Sequence, residues 1–205
     1  MSDNRIYLAS RSPRRRELLK QIGVSFELLL LREDARRGVD VDEMAPPGEA
    51  PSECALRIAR AKAAGATTRV VQRRLPLYPV LAADTTVVLD DEVIGKPRDA
   101  GHAAQILAAL GGREHRVITA VAVGMRDQVE SSVSISSVEF RALSPAEIQR
   151  YIASGEPFDK AGAYAIQGRA AAFVTRIGGS YSGIMGLPLA ETAELLRKFG
   201  IDVLR

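Results

Sequence analysis

VLAADTTVVLDDEVIGKP, residues 80–97, decides how the chain is read. Val80, Leu81, Ala82 and Ala83, then Val87, Val88 and Leu89, make a near-continuous apolar run, the pattern of a strand covered on both faces. Asp84 interrupts it. A carboxylate placed there must be offset by a metal, a cation or several donors, or its pKa must rise. The run closes at Asp90-Asp91, a tight turn, and a short strand through Val93 and Ile94 delivers Gly95-Lys96-Pro97. Paired as a hairpin, the two strands return Lys96 toward the end carrying Asp84. Two readings stay open: a reactive carboxylate, or a buried Asp–Lys ion pair without catalytic meaning.

Upstream, residues 6–9 read as a short buried strand running into Ser10-Arg11-Ser12-Pro13-Arg14-Arg15-Arg16. Ser12 suits an N-cap and Pro13 the first helical position; Leu18, Leu19 and Ile22 form the buried stripe, and Gly23 ends the helix. Arginines in the first turn oppose the partial positive charge of a helix N-terminus, so they call for an anion, and the turn reads as a phosphate site. Residues 26–31 are a second apolar strand. Residues 36–51 are polar, hold three of the ten prolines and read as a surface excursion with no assigned role. Over residues 51–65, Ala55, Ile58, Ala59 and Lys62 recur at helical spacing, so Lys62 extends the inward stripe, either snorkelling past the core edge or reaching an anion.

Downstream, Asp99 caps a helix whose Ala103, Ile106, Leu107 and Leu110 face the core, with His102 exposed on it. His115, opening a strand over residues 116–124, reads as a partly paired structural histidine. Residues 133–140 form a strand whose apolar phase shifts, which predicts a bulge or two-sided burial. Ser144 and Glu147 make a capping box for a helix that ends at Ser154-Gly155. In EPFDKAGAYAIQG, residues 156–168, the glycines among Asp159, Lys160 and Gln167 read as a ligand wall. A strand over residues 171–177, a loop over 178–183 and a last helix carrying Leu189, Leu195, Leu196 and Phe199 complete the order. The interleaving predicts an α/β fold with a mixed sheet.

The 205 residues, 46% hydrophobic, suit one domain over residues 1–205. Twenty-eight Lys and Arg against 25 Asp and Glu leave +3, too mild an excess for a duplex nucleic-acid binder. The single cysteine, Cys54, cannot form an intrachain disulfide and suits a reducing compartment; two histidines and one cysteine argue against a zinc site of the usual ligands. With no signal-peptide pattern and no apolar run of membrane-spanning length, a soluble cytoplasmic protein is expected. Cations at a helix start, a carboxylate in a buried strand and lysines on separate elements fit phosphate-ester or phosphoanhydride chemistry. The Gly-x-x-x-x-Gly-Lys-Ser/Thr loop, the Gly-x-Gly-x-x-Gly turn and His-Glu-x-x-His are all absent.

Five motifs in order resemble the Maf family of nucleoside triphosphate pyrophosphatases: Ala9-Ser10 with Ser12-Pro13-Arg14-Arg15 and Glu17-Leu18-Leu19; Ala59 with Lys62-Ala63; Ala83-Asp84-Thr85 with Gly95-Lys96-Pro97; Asp159-Lys160-Ala161-Gly162-Ala163-Tyr164 with Ile166-Gln167-Gly168; and Gly186-Leu187-Pro188-Leu189. The resemblance implies an elongated, twisted mixed sheet flanked by helices, two lobes around a cleft, and often a homodimer. It implies hydrolysis of a nucleoside triphosphate to the monophosphate and pyrophosphate with a divalent cation, Mg or Mn. Asp84 would prepare the attacking water and touch the metal, with Glu33 as a further acidic residue. Ser10, Arg14, Arg15, Lys62, Lys96 and Lys160 would hold the triphosphate. Arg14, Thr85 and Gln167 match the branch acting on dTTP and UTP; the branch acting on 7-methyl-GTP carries Trp, Gln and Glu at those places, and a cationic methylated purine does favour a carboxylate and a Trp face. The Gln167 amide, a donor and an acceptor, suits the imide edge of uracil and thymine. Residues 36–51 look longer and richer in Pro than the family pattern, and Ser182-Gly183-Ile184-Met185 replaces a commoner Ser-Asn-Val-Val. Two further readings stand beside this one: a nucleotide- or nucleic-acid-binding regulator of septum formation without turnover, and a house-cleaning enzyme for modified pyrimidine nucleotides.

Overall fold

The 80–97 stretch forms the middle of the sheet. In the computed structural model, which describes residues 4–31 and 41–203, β3 (Val80–Leu89) lies between β1 (Arg5–Leu8) and β5 (Glu114–Met125). With β2 (Ser25–Leu28), β4 (Glu92–Ile94), β6 (Gln128–Phe140) and β7 (Val174–Gly178) it makes a seven-stranded sheet of order β2-β1-β3-β5-β6-β7, in which β4 pairs with β3 off that path. β1 runs parallel to β2 and β3, while β3, β5, β6 and β7 are antiparallel, so the sheet is mixed as expected. Asp90 and Asp91 both take positive φ, 51° and 64°, the twist of a two-residue hairpin turn, and Val87 pairs with Ile94.

Helices cover both faces. Ala55, Ala59, Ala63, Ala66 and Val70 of α2 (Pro51–Gln72) pack on Val80, Ala82 and Val88 of β3 and on Ile118, Ala120 and Ala122 of β5. An alanine stripe lets the helix axis approach closely, which brings a longer side chain such as Lys62 over the sheet. On the other face Leu18 and Leu19 of α1 (Pro13–Gln21) and Leu195 and Leu196 of α6 (Leu189–Lys198) meet Leu81, Ala83, Val121 and Val123. A third body of core lies toward the far end of the strands, where α3 (Ala100–Leu110) and α4 (Pro145–Ala153) enclose Val87, Val117, Val138 and Phe140. Each fully buried leucine or isoleucine contributes about 1.5–3 kcal/mol.

The predicted caps are in place: Ser12 accepts from Arg15 N, Asp99 from His102 N, and Ser144 and Glu147 form a reciprocal box. Several boundaries differ from the sequence reading. The strand expected at residues 26–31 is Ser25–Leu28, and α2 runs past Gly65 to Gln72, because Ala66, Thr67 and Val70 continue its buried stripe. β6 starts at Gln128, and its irregularity falls at Glu139/Phe140, opposite β7. The strand expected over residues 171–177 opens instead as a 3₁₀ helix, Arg169–Phe173, since Ala170 and Phe173 bury on one side while Ala171 and Ala172 stay exposed, which alternation cannot do. The loop at 178–183 contains a short helix, α5 (Tyr181–Ile184), capped by Ser180. His102 is half-buried rather than exposed; its Nδ1 accepts from Arg98 N. Among the described residues no helix is long and apolar enough to cross a membrane.

Candidate active site

β3 loses its neighbour in mid-course. β1 pairs with it only at Val80 and Leu81, and β4 rejoins from Val87, so residues 82–86 have no strand partner on that edge among the described residues. Asp84, Thr85 and Thr86 are correspondingly half-buried within an otherwise buried strand. A gap in a sheet gives a ligand access to both faces at once, and both faces are furnished. Successive side chains alternate, so Asp84 shares the α2 face with Ala82 and Val88, while Thr85 shares the α1 face with Leu81 and Ala83.

On the α2 face, Lys62 Nζ donates to Asp84 Oδ1 at 2.9 Å and lies 2.7 Å from Glu43 Oε1. The lysine that meets Asp84 therefore comes from the inward stripe of α2, not from the hairpin carrying Lys96. Asp84 and Lys62 retain 19% and 18% side-chain exposure, which keeps the pair open to water rather than sealed as a structural ion pair. Ala120, a small side chain, stands opposite Asp84 in β5. Glu43 was not legible in the sequence. It sits in the Pro-rich segment, and Arg57 of α2 anchors that segment, donating to Asp42 O (3.2 Å), Met44 O (2.9 Å) and both oxygens of Glu49 (2.7 and 2.9 Å).

On the α1 face, Arg15 spans the site. Nε donates to Gly186 O at 2.7 Å, Nη1 to Ser10 Oγ at 3.1 Å and Nη2 to Thr85 Oγ1 at 3.1 Å. Of its five N–H donors two remain, so it both braces the wall and can still meet an anion. Ser10 Oγ also accepts from Ser12 N. Thr119, fully buried opposite Thr85, lies 3.0 Å from Thr85 Oγ1 and donates to Gly183 O at 2.8 Å, so three elements set the rotamer of Thr85. A polar residue inside the apolar run of β5 was the available signal for Thr119.

The cations here are under-neutralised. Burial lowers Arg15 from its ordinary value to about 10, partly countered by the charge of Asp84 and deepened by that of Arg14. Arg14 is likewise lowered by burial, against the opposing effect of Glu17. Lys160 is lowered by burial and next by the charge of Arg14, which places the two cations within electrostatic reach of each other. A polyanion would relieve both the desolvation and the repulsion. Lys160 Nζ donates to Phe158 O at 3.3 Å; the backbone of its loop docks on the hairpin end, Gly162 N donating to Gly95 O at 3.1 Å, which brings the Lys160 and Lys96 segments together. Lys96 and Gln167 are exposed. Glu33 lies outside the described residues.

Two carboxylates and no group of three or more His, Cys, Asp or Glu able to hold a metal occur here among the described residues. Oxygen donors in that number suit Mg or Mn, which commonly takes one or two carboxylates and completes its shell with water and substrate phosphates.

The chain is similar to known proteins over nearly its whole length. The chain is 58% identical over 200 residues to a dTTP/UTP pyrophosphatase of Nitrosomonas europaea, covering 98% of this chain and 97% of the relative. It is 57% identical over 197 residues to a dTTP/UTP pyrophosphatase of Aromatoleum aromaticum, covering 96% of each. The structure of the Staphylococcus aureus Ham1 protein is similar at 15% identity and a TM-score of 0.48, covering 95% of this chain and 97% of that one; the fold rests on the sheet described above. The family description Maf-like protein matches residues 5–199, so nearly the whole chain, with the Ser10–Arg15–Thr85 and Lys62–Asp84 groups inside it, belongs to the Maf family.

Proposed function

We propose that this chain hydrolyses dTTP and UTP to the monophosphate and pyrophosphate. The observation that carries the reading is the gap in β3, where one carboxylate, Asp84, meets Lys62 of α2 and lies within electrostatic reach of Arg15 of α1. The identity to dTTP/UTP pyrophosphatases supports the substrate.

Water attacks the α-phosphorus and the α–β bridging oxygen leaves with pyrophosphate. Asp84 accepts the proton of that water, and Lys62, already at 2.9 Å, orients the carboxylate. Ser10, Arg14, Arg15, Lys62, Lys96 and Lys160 offset the charge that grows on the phosphate oxygens and the leaving group. Asp84 and Glu43 would hold a divalent cation, which when bound neutralises phosphate charge; the resemblance offers Glu33 as the further acid, and comparing Glu33→Gln with Glu43→Gln for metal affinity assigns it. Arg14, Thr85 and Gln167 read the pyrimidine. Modified pyrimidine nucleotides fit the same imide-edge recognition. A cytoplasmic homodimer is the assembly proposed, checked by sedimentation of the purified protein and fractionation of its host.

The test is product analysis with Mg or Mn against dTTP, UTP, CTP, GTP and 7-methyl-GTP, wild type beside Asp84→Asn. Monophosphate plus pyrophosphate from dTTP and UTP, lost in the variant with nucleotide binding retained, is expected. Binding without turnover of any nucleotide overturns the reading in favour of a regulator.

A further inference from the structure

The loop that carries Lys160 and Gln167 contains three residues at positive φ: Asp159 (63°), Gly162 (71°) and Ala163 (57°). For a residue with a Cβ that conformation costs about 1–2 kcal/mol, so the loop needs ties that hold it. One tie is the carboxylate of Glu156, just before the loop. Its Oε2 accepts from Arg169 N at 3.0 Å, and its Oε1 accepts from Ala170 N at 3.4 Å and from the Tyr151 hydroxyl at 2.9 Å. Those two amides open the 3₁₀ helix that follows the loop, and Gly168, at its N-cap position, supplies no side chain to cap it. Glu156 therefore caps from the far end of the loop and closes it into a ring. Gly168 is where the carboxylate rests: a Cβ there would lie 2.3 Å from Glu156 Oε1 and 2.7 Å from Oε2. Gln167 is the residue immediately before this glycine.

Resting on the proposed function, we infer that Glu156 is a positioning residue for nucleotide discrimination: its carboxylate clamps residues 160–168 so that Lys160 and Gln167 meet the phosphates and the base at a set distance. Tyr151, which donates to Glu156, also lies within electrostatic reach of Arg14. The Glu156 carboxylate has no part in the bond-breaking step.

The experiment measures kcat and KM for dTTP and CTP in wild type, Glu156→Ala, Glu156→Gln, Gly168→Ala and the double variant Glu156→Ala/Gly168→Ala, with hydrogen exchange of the 160–170 amides. In Glu156→Ala the dTTP-over-CTP ratio of kcat/KM falls about tenfold, chiefly through KM for dTTP, since misplacement of a positioning contact is felt by the nucleotide it reads. Gly168→Ala, which displaces the carboxylate, gives the same fall, and the double variant falls no further than either single one. Glu156→Gln, keeping one acceptor, lies between. Equal losses for both nucleotides, or additive losses in the double variant, overturn the inference. Should Glu156→Ala fail to fold, Gly168→Ala and Tyr151→Phe carry the same comparison. If wild type turns over no nucleotide, the functional reading has failed, and the exchange data decide the clamp separately: faster exchange of Arg169, Ala170 and the loop amides in Glu156→Gln supports it, and unchanged protection refutes it.

Discussion

His115 should make the protein's stability fall with acid by an amount the structure sets. Its ring is 2% exposed, edge-on to Phe140 and Tyr164, with Nε2 2.9 Å from the Tyr164 hydroxyl and Nδ1 without a partner among the described residues. Burial therefore pushes the imidazole down from 6.5 to about 4. The folded state favours the neutral ring, so its contribution is fully present above the unfolded value and is lost as pH falls through 6.5 toward 4. With those two values, the folded protein loses about 2 kcal/mol between about pH 7.5 and about pH 5, and about 3 kcal/mol by about pH 4. For a urea slope of about 2–3 kcal/mol per molar, the unfolding midpoint drops by about 0.7–1 M over the first interval. Urea unfolding of wild type and His115→Phe across that range checks it. The phenyl ring leaves the Tyr164 hydroxyl without its partner, a cost of about 1–3 kcal/mol that does not vary with pH. Titrations common to both proteins cancel in the difference. Parallel pH dependence in the two proteins would refute the reasoning.

Gly162→Ala should destabilise: at φ 71° a Cβ costs about 1–2 kcal/mol and would meet Val87 Cγ2 at 2.9 Å, so thermal unfolding should drop by about 2–4 °C per kcal/mol for a chain of this length. Arg57→Ala should release the 42–49 segment from α2 and with it Glu43, raising KM for nucleotide and metal several-fold in steady-state assays while leaving the Asp84–Lys62 pair in place; an unchanged metal dependence would count against a role for Glu43.

Much of the site was legible because its local chemistry is unusual for its surroundings. Asp84 stood in an apolar strand, Lys62 on an inward helical stripe, and the arginines of α1 at a helix start that repels them; each anomaly is a local property, and each lies at the gap in β3 or borders it. Glu156 and Thr119 lay within stretches already read as a ligand wall and a strand. Their roles depend on atoms at Arg169, Ala170, Thr85 and Gly183, which no local pattern brings near. Glu43 is the plainest case. An exposed acid in a Pro-rich segment carries no periodic signal, and only the grip of Arg57 sets it against Lys62.

By itself the amino-acid sequence determined the succession of the main strands and helices, the caps at Ser12, Asp99 and Ser144, the 80–97 hairpin and the presence of an acid in an apolar strand alongside cations suited to phosphate, since propensity, capping and burial periodicity act over a few residues. Tertiary structure alone decided that Asp84 and Thr85 serve opposite faces of one strand, that Lys62 rather than Lys96 holds Asp84, and that β1 stops two residues into its pairing with β3. Those outcomes follow from how far strands pair and how closely an alanine-lined helix approaches the sheet, and both are settled by contacts between residues distant in the chain.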